Sequence, residues 1–206
     1  MSSFVVNKKE VSLEDFDMVL VGIGREFEDN TDALPAYNKL SKLLENANYF
    51  AVSLCMDDAV LKSELKADRV VCPLGTHLKK QCINACCNDI FEASVDVCPK
   101  CGEATVENNI WAENYVEAGY LPMWEKYRKW LTGTINKRLL LLELGANLEF
   151  AQIVRFPFER MAMLNNKSQF IRINEKFWQI PEELKDKAVS VQTSAVAWLN
   201  DGTCKE

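Results

Sequence analysis

Two close pairs of cysteines give the sequence its clearest chemical signal. Three residues separate Cys82 from Cys86, and two separate Cys98 from Cys101, with Gly102 directly after the second pair. The turn within the second pair aims two thiolates at one ion, and the glycine permits the tight backbone of that turn. Four thiolates satisfy zinc tetrahedrally and leave no coordination position open. We therefore predict a structural zinc ion and not a catalytic one.

Two adjacent cysteines are candidates for the second ligand of this site. Cys87 competes with Cys86, and we favour Cys86 because the shorter spacing closes a tighter turn. The alternative for the whole cluster is a set of buried free thiols without metal. The chain starts without the apolar core of a secretion signal, which favours a cytoplasmic location. In that reducing compartment, paired cysteines indicate metal rather than disulfides.

A Gly-x-Gly motif gives a second and weaker signal. Gly22 and Gly24 follow the apolar residues 18–21. Without side chains, such glycines let backbone N–H groups approach a pyrophosphate at the start of a helix. The third glycine of the usual dinucleotide-binding fingerprint is missing, so the pattern is equally typical of a tight turn after a strand.

Alternating apolar runs and helical patterns must position these residues. The predicted strands are 17–22, 49–54, 69–72, 138–144 and 169–174. The predicted helices are 34–45, 57–65, 123–131, 157–164 and 191–200. Apolar runs without period-two alternation, separated by helices, predict an α/β doubly wound, Rossmann-like fold with a mostly parallel sheet. Ligands bind such sheets at the carboxyl ends of the strands, so the site should collect the residues just after Val21, Leu54, Cys72, Leu144 and Ile173.

Length and charge narrow the range of partners. The 206 residues, 48% of them hydrophobic, suffice for one domain, 1–206, into which a small four-cysteine zinc module, 81–107, is inserted. The formal charge of −6 and the acidic character of the module argue against a nucleic-acid partner. No apolar run approaches the roughly 18 residues of a membrane span. We expect a protein partner or substrate, no nucleic acid and no membrane.

The order of these motifs resembles that of the sirtuin family. The segment 98–109 (CPKCGEATVENN) is similar to the second cysteine pair of that family and the loop after it. Residues 138–147 (RLLLLELGAN), 153–159 (IVRFPFE) and 170–174 (FIRIN) resemble most the macrodomain-linked branch of sirtuins. The resemblance runs, with one gap, from about Asp17 to Leu199.

The resemblance implies an NAD site and an NAD-consuming reaction. In that family the nicotinamide–ribose bond is broken, and ADP-ribose passes to an acyl-lysine oxygen or to a protein side chain. The resemblance places Gly22 and Gly24 at the diphosphate, and Gly145 and Asn147 along the ribose and phosphate path. The resemblance also places Asn174 at the adenosine ribose and Asp57 in the stretch that forms the nicotinamide pocket. It makes Arg25 a candidate for the arginine that grips the nicotinamide ribose.

The sequence departs from the family where the reaction would take place. Leu74 stands at the position of the catalytic histidine or glutamine, and the single histidine, His77, lies three residues on. Cys55 replaces the asparagine of the nicotinamide pocket. Only about 25 residues separate Gly24 from the next strand, so the cofactor-covering lid is missing, and Arg25 and Phe27 are the candidates to replace its Phe-Arg pair.

These departures predict a shortened and catalytically degenerate form of the family. We expect a zinc-containing pseudoenzyme that binds NAD, ADP-ribose or a protein partner, and we assign no catalytic residue. The alternative is an NAD-dependent protein ADP-ribosyltransferase or deacylase of minimal form.

Overall fold

A computed structural model describes residues 2–201 and, for the backbone alone, residues 204–205. In chain order its strands are β1 Ser3–Val6, β2 Lys9–Ser12, β3 Met18–Ile23, β4 Tyr49–Ser53, β5 Val70–Val71, β6 Gly75–Cys82, β7 Phe91–Glu92, β8 Thr105–Asn109, β9 Leu139–Leu144, β10 Ser168–Ile173, β11 Ala188–Val191 and β12 Cys204–Lys205. Its α-helices are α1 Ala33–Leu44, α2 Ala59–Lys62, α3 Leu121–Thr132, α4 Arg155–Leu164 and α5 Ala195–Asn200.

A six-stranded sheet in the order β11-β10-β9-β3-β4-β5 forms the centre of the molecule. Every neighbouring pair of strands in it is parallel. Strands β3, β4 and β9 are buried along their whole length, as expected for uninterrupted apolar runs covered on both faces. The predicted doubly wound α/β fold is confirmed.

Two apolar layers cover the two faces of this sheet. Along β9, Leu140 and Leu142 pack into the layer that contains α1 and α5, whereas Leu139 and Leu141 pack into the layer that contains α3 and α4. This division follows from the period of two along a strand, which sends alternate side chains to opposite faces. The hairpin of β1 and β2 closes the outer side of the first layer, where Phe4 meets Trp198 edge to face at 5.4 Å.

The strand order places a crevice between β3 and β9. From β3 the chain proceeds outward through β4 and β5, and it then crosses back to build β9, β10 and β11 on the other side. Loops that leave β3 and β9 therefore turn in opposite directions over the two faces. Such a reversal opens a crevice at the carboxyl ends of the two strands, where open α/β sheets bind ligands.

The cysteine segment forms a separate antiparallel sheet in the order β7-β6-β8, inserted between β5 and α3. A buried amide pair links it to the chain that follows. Asn108 donates from Nδ2 to Oε1 of Gln81 at 2.8 Å and to the carbonyl oxygen of Val116 at 2.8 Å. The inserted sheet has little apolar core of its own, and these bonds satisfy the buried polar groups that join it to the rest of the chain.

The structure corrects several predicted boundaries. The helix expected at 191–200 begins only at Ala195, because residues 188–191 form β11 at the edge of the sheet. The helix expected at 57–65 is limited to Ala59–Lys62. The hairpin of β1 and β2 had no counterpart among the predicted elements. Within the described residues, no helix has the length and apolar character to cross a membrane.

Candidate functional site

A cleft of about 260 Å³ opens at the crevice between β3 and β9. Its walls come from the loops that follow β3, β9 and β10. The residues that line it are Arg25, Glu26, Gly145, Asn147, Asn174, Glu175, Lys176 and Phe177. Four of the predicted cofactor residues thus share one cleft, at the sheet edge that the strand order predicted. Gly22, Gly24 and Asp57 do not line this cleft.

The two glycines of the Gly-x-Gly motif pack against the protein's own chain. A Cβ on Gly24 would lie 2.0 Å from the carbonyl oxygen of Gly145, and one on Gly22 would lie 2.4 Å from Cγ1 of Val154. Both glycines are therefore required for the end of β3 to approach the loop after β9 and helix α4. The space toward which a side chain of Gly24 would point is filled by the backbone of Gly145 and Ala146. A role of these glycines in cofactor contact stays a prediction.

The segment after Gly24 also differs from a dinucleotide-binding motif. A single 3-10 turn, Arg25–Phe27, follows the glycine, and α1 begins only at Ala33. Phe27 is fully buried and stacks on Tyr37 with 5.0 Å between the ring centroids, so it is a core residue and cannot replace a residue of the missing lid.

Arg25 reaches the cleft with its charge already compensated. Its guanidinium donates to the carboxylate of Glu28 and, at 3.0 Å, to that of Glu149. It also lies 5.9 Å from the ring centroid of Phe150, within the range of a cation–π contact. These contacts fix the side chain at the rim of the cleft. An added anion would compete with two carboxylates for this cation.

Glu26 is a cleft residue that the sequence analysis missed. Its Oε1 accepts a hydrogen bond of 2.8 Å from the backbone N–H of Ala195, and a Cβ on Gly145 would lie 2.7 Å from its Oε2. Burial raises the pKa of this carboxyl, and the hydrogen bonds from Ser194 and the backbone oppose that shift. This carboxyl group lies where the loops of β3 and β9 meet.

Asn174 and Asn147 shape the loops of the cleft. Asn174 is buried, donates from Nδ2 to the carbonyl oxygen of Ala146 at 2.7 Å, and accepts from the N–H groups of Lys176 and Phe177 at 3.0 and 2.7 Å. Asn147 accepts from the N–H of Glu149 at 3.2 Å. Both side chains thus hold the backbone that lines the cleft.

A buried ion pair lies directly behind the cleft. Glu143 of β9 and Arg172 of β10 are paired in the sheet register, and both side chains are fully buried. Arg172 donates to the two carboxylate oxygens of Glu143 at 2.7 and 2.9 Å and to Glu159 of α4 at 2.7 Å. Burial raises the pKa of Glu143, whereas the hydrogen bonds from Arg172 act in the opposite direction. Polar groups this deep in a sheet persist only when fully hydrogen-bonded.

The same ionic cluster holds the wall of the cleft. Arg155 of α4 donates to the carbonyl oxygen of Phe177 at 2.9 Å, and Arg172 donates to that of Gln179. Because Phe177 lines the cleft, two guanidinium groups beneath the sheet edge fix the backbone of its wall. A signal for this cluster is present in the sequence, since Glu143 and Arg172 are the charged residues of the two predicted strands' apolar runs 139–144 and 170–173.

The position of the expected catalytic residue is apolar. Leu74 is 2% exposed and belongs to the same apolar cluster as Leu54, Met56 and Ala146. His77 points elsewhere: its Nδ1 lies 2.5 Å from a carboxylate oxygen of Glu107 on the exposed inserted sheet. Among the described residues, neither Leu74 nor a histidine lines the cleft.

Two further residues of the implied nicotinamide pocket are engaged within the fold. Cys55 is buried, and its Sγ lies 3.6 Å from the hydroxyl of Tyr37 and 3.3 Å from the carbonyl oxygen of Gly24. Burial raises the pKa of this thiol to about 12, so it is protonated and unreactive at neutral pH. Asp57 accepts from the N–H of Asp29 at 3.0 Å, and burial raises its pKa.

The four predicted metal ligands converge. The sulfur atoms of Cys82, Cys86, Cys98 and Cys101 all lie within 4.8 Å of one another. The Cys82–Cys101 and Cys86–Cys98 sulfur distances are 3.5 and 3.6 Å. A tetrahedron of zinc–sulfur bonds of about 2.3 Å has edges of about 3.8 Å, so the cluster fits this ion.

The backbone around the cysteines explains why they converge. Gly102 donates to the carbonyl oxygen of Cys98 at 2.8 Å and adopts a φ of +78°, a conformation that favours glycine. Ala85 closes the turn after Cys82 with a bond of 2.9 Å. Cys87, the competing second ligand, is not part of the convergent set. The structure therefore brings Cys86 into the cluster.

Comparisons with known proteins agree with this architecture. No family model matches the sequence. The "Protein ADP-ribosyltransferase" of Staphylococcus aureus (strain Mu50 / ATCC 700699) is 24% identical over 175 residues, which are 75% of this chain and 56% of that protein. The chain thus spans little more than half of this relative.

Solved structures of Sir2 homologues are similar in fold over nearly the whole chain. Two mutants of such homologues, each in complex with ADP-ribose, superpose with TM-scores of 0.62 and 0.61 at 12% sequence identity. Each match covers 93% of this chain, and it covers 92% and 93% of the two homologues. The chain therefore has the Sir2-like Rossmann fold, with a mostly parallel six-stranded sheet and a four-cysteine cluster that is compatible with a zinc module.

Proposed function

We propose that this protein is a catalytically silent relative of the macrodomain-linked sirtuins that binds the ADP-ribose part of a nucleotide in the cleft and acts through binding. The observation that carries the proposal is a contrast between the residues that the resemblance assigns to the cofactor and the residue that it assigns to catalysis. Arg25, Gly145, Asn147 and Asn174 line a cleft at the crevice of the sheet, whereas Leu74 fills the place of the catalytic side chain. A structural zinc ion in the inserted sheet completes the protein.

The cleft supports part of a nucleotide rather than a whole dinucleotide. Its volume of about 260 Å³ lies below the ~300–1,000 Å³ of typical ligand pockets, so a bound ADP-ribose would extend along the open rim. Lys176 is an exposed cation of the lining and can pair with a phosphate group of the ligand. The two Sir2 homologues with this fold are described as ADP-ribose complexes, which supports the same class of ligand.

The nicotinamide end does not fit the family reaction. Cleavage of the nicotinamide–ribose bond develops positive charge on the ribose and requires a group that accepts a proton from a ribose hydroxyl. The buried leucine at 74 and the protonated thiol of Cys55 supply neither function. The chain between Gly24 and β4 forms a 3-10 turn and α1 only, so water is not excluded by a lid.

A second candidate is a minimal NAD-dependent protein ADP-ribosyltransferase. One observation favours it, namely the name of the Staphylococcus aureus relative that is 24% identical to this chain. The two candidates differ in one product, because a transferase releases nicotinamide from NAD and a binding protein does not.

Calorimetric titration of the zinc-loaded protein with ADP-ribose and, separately, with NAD tests the proposal. We expect saturable binding of ADP-ribose, no nicotinamide in the NAD sample, and an affinity about tenfold lower for Lys176→Glu. The matched control is Lys129→Glu, which reverses the charge of an exposed lysine on α3 outside the cleft lining. Release of nicotinamide would establish the transferase, and failure to bind either ligand would overturn the nucleotide site.

A further inference from the structure

A second concave surface lies at the amino ends of the strands, opposite the cleft. It is a groove of about 440 Å³ between the carboxyl ends of α3 and α4, beside the start of β9. Its apolar lining comes from Leu131, Ile135, Leu139, Met161 and Leu164. The cleft at the carboxyl ends of the strands shares no lining residue with this groove.

Two large aliphatic side chains of the groove are left in solvent. Ile135 is 71% exposed and Leu164 is 75% exposed, the highest values for large hydrophobic residues in the described part of the chain. Both extend the apolar layer of α3 and α4, because Leu131 and Met161 pack against that buried layer. An apolar surface continuous with a core and open to solvent marks a site of interaction.

The turns that carry these side chains are firmly bonded. The N–H of Thr134 donates to the carbonyl oxygen of Leu131 at 3.0 Å, and that of Lys137 donates to Thr134 at 3.1 Å. Asn165 then joins the two turns, since its Nδ2 donates to the carbonyl oxygen of Lys137 at 3.1 Å. The groove is therefore preformed, and a ligand would not have to order it.

The charge around the groove is opposite to that of the whole protein. Five exposed basic residues lie on or next to the elements that form it, and none of the five forms an ion pair with a carboxylate of the described residues: Arg128, Lys129, Lys137, Arg160 and Lys167. The acidic residue nearest to Arg160 in sequence, Glu159, turns inward to Arg172. A chain with a net charge of −6 thus presents these five residues as a basic rim beside an apolar groove; Arg128 lines the groove itself, and Lys137 also lies within electrostatic reach of Asp17.

We infer that this groove docks an amphipathic helical segment of another protein, with acidic residues on either side of an apolar face. Apolar side chains spaced three and four residues apart would enter between Ile135 and Leu164, as in other helix-in-groove complexes. Carboxylates beside them would meet the basic rim, which both attracts the segment and excludes basic competitors. The inference does not depend on nucleotide binding, because the cleft lies at the other end of the strands.

A synthetic peptide of about 18 residues, or five helical turns, is a direct probe. It has leucines at helical spacing on one face, glutamates elsewhere and a fluorescent label, and its matched partner replaces every glutamate by lysine. Titration with the zinc-loaded full chain, followed by fluorescence anisotropy, should give saturable binding of the acidic peptide only. Binding should weaken as salt is added, because exposed charges are screened.

Three variants locate the binding. Ile135→Glu and Leu164→Glu place a carboxylate in the groove and should each weaken the acidic peptide at least about tenfold. Leu61→Glu is the control, because Leu61 is 46% exposed on α2 and remote from the groove in the fold. All three positions are exposed, so thermal melting should show an unchanged fold.

The outcomes decide between occupants. Equal binding of the lysine peptide, absence of binding, or equal loss with Leu61→Glu would overturn the inference. A dimer in light scattering that Ile135→Glu converts to a monomer would also overturn it and assign the groove to a second copy of the chain. ADP-ribose titration serves as an independent readout and should be unchanged by Ile135→Glu.

Discussion

Replacement of Glu143 by glutamine should destabilise the protein strongly. Glu143 and Arg172 are both fully buried, and their two hydrogen bonds of 2.7 and 2.9 Å form a bidentate pair. Removal of one charge from a buried pair costs about 3–5 kcal/mol, because the other charge stays in the interior. Glutamine keeps one acceptor oxygen, and Glu159 still accepts from Arg172 at 2.7 Å. We therefore expect a loss of about 3 kcal/mol in the free energy of unfolding.

A double variant separates the charge of this pair from its effect on the cleft. Glu143→Leu combined with Arg172→Met removes both charges and leaves Arg155 paired with Glu159 at 3.8 Å. Replacement of a buried pair by apolar side chains of similar volume is often neutral, so stability should return to within about 1.5 kcal/mol of the native value. The carbonyl oxygen of Gln179 nevertheless loses its shorter hydrogen bond, from Arg172, and keeps only the one from Arg155 at 3.5 Å.

Urea unfolding measures the first effect, and amide hydrogen exchange of residues 175–180 measures the second. The double variant should regain a native unfolding midpoint yet exchange these amides faster than the native protein. Asp17→Asn is a matched control, because it removes an exposed partner of Arg138 and should leave the midpoint nearly unchanged. A Glu143→Gln protein as stable as this control, or a double variant no more stable than the single one, would refute the reasoning.

Three further predictions concern the metal, the cleft and the reaction. Cys86→Ser should lose the single zinc per chain in metal analysis and melt at lower temperature, whereas Cys87→Ser should retain both metal and stability, because only Cys86 belongs to the cluster. Glu26→Gln should raise the affinity for ADP-ribose about tenfold at neutral pH. In the native protein that affinity should rise as pH falls through the pKa of Glu26, which burial raises, and this dependence should vanish in the variant. Leu74→His alone should not release nicotinamide from NAD, because the lid is also missing, and rapid turnover would show that the lid is dispensable.

The central sheet could be predicted from the sequence because each of its strands is identified by a local pattern of residues. Uninterrupted apolar runs such as residues 139–142 identify strands buried on both faces, and their alternation with helices fixes the parallel arrangement. The short strand β11 was not predicted, because its residues are only partly buried at the sheet edge. An apolar run is not required there, so residues 188–190 were assigned to no element and Val191 was placed at the start of the predicted helix 191–200.

The cysteine cluster was also predictable, since thiolate spacing and a glycine at a left-handed position are both local features. The contacts between the loops of the cleft could not be predicted from the sequence. The fit of Gly24 against Gly145, and the position of Glu26 in front of Ala195, depend on distances between loops that are remote in sequence. A Gly-x-Gly motif allows close approach of either a ligand or a loop of another strand, and the motif alone does not say which of the two is present. The cytoplasmic location stays a prediction from the sequence.

The hydrogen bonding of the cleft favours binding over turnover. Asn174 uses its amide oxygen and nitrogen on neighbouring backbone, Arg25 is bound by two carboxylates, and Glu26 is bonded to Ala195. Catalysis of bond cleavage at a ribose needs polar side chains that are directed at the reacting atoms and are free to respond to developing charge. Here those side chains hold the loops, and the buried ion pair of Glu143 and Arg172 holds the wall behind them. With these side chains engaged on the protein's own loops, the exposed Glu175 and Lys176 are the charged groups of the lining that remain for a ligand.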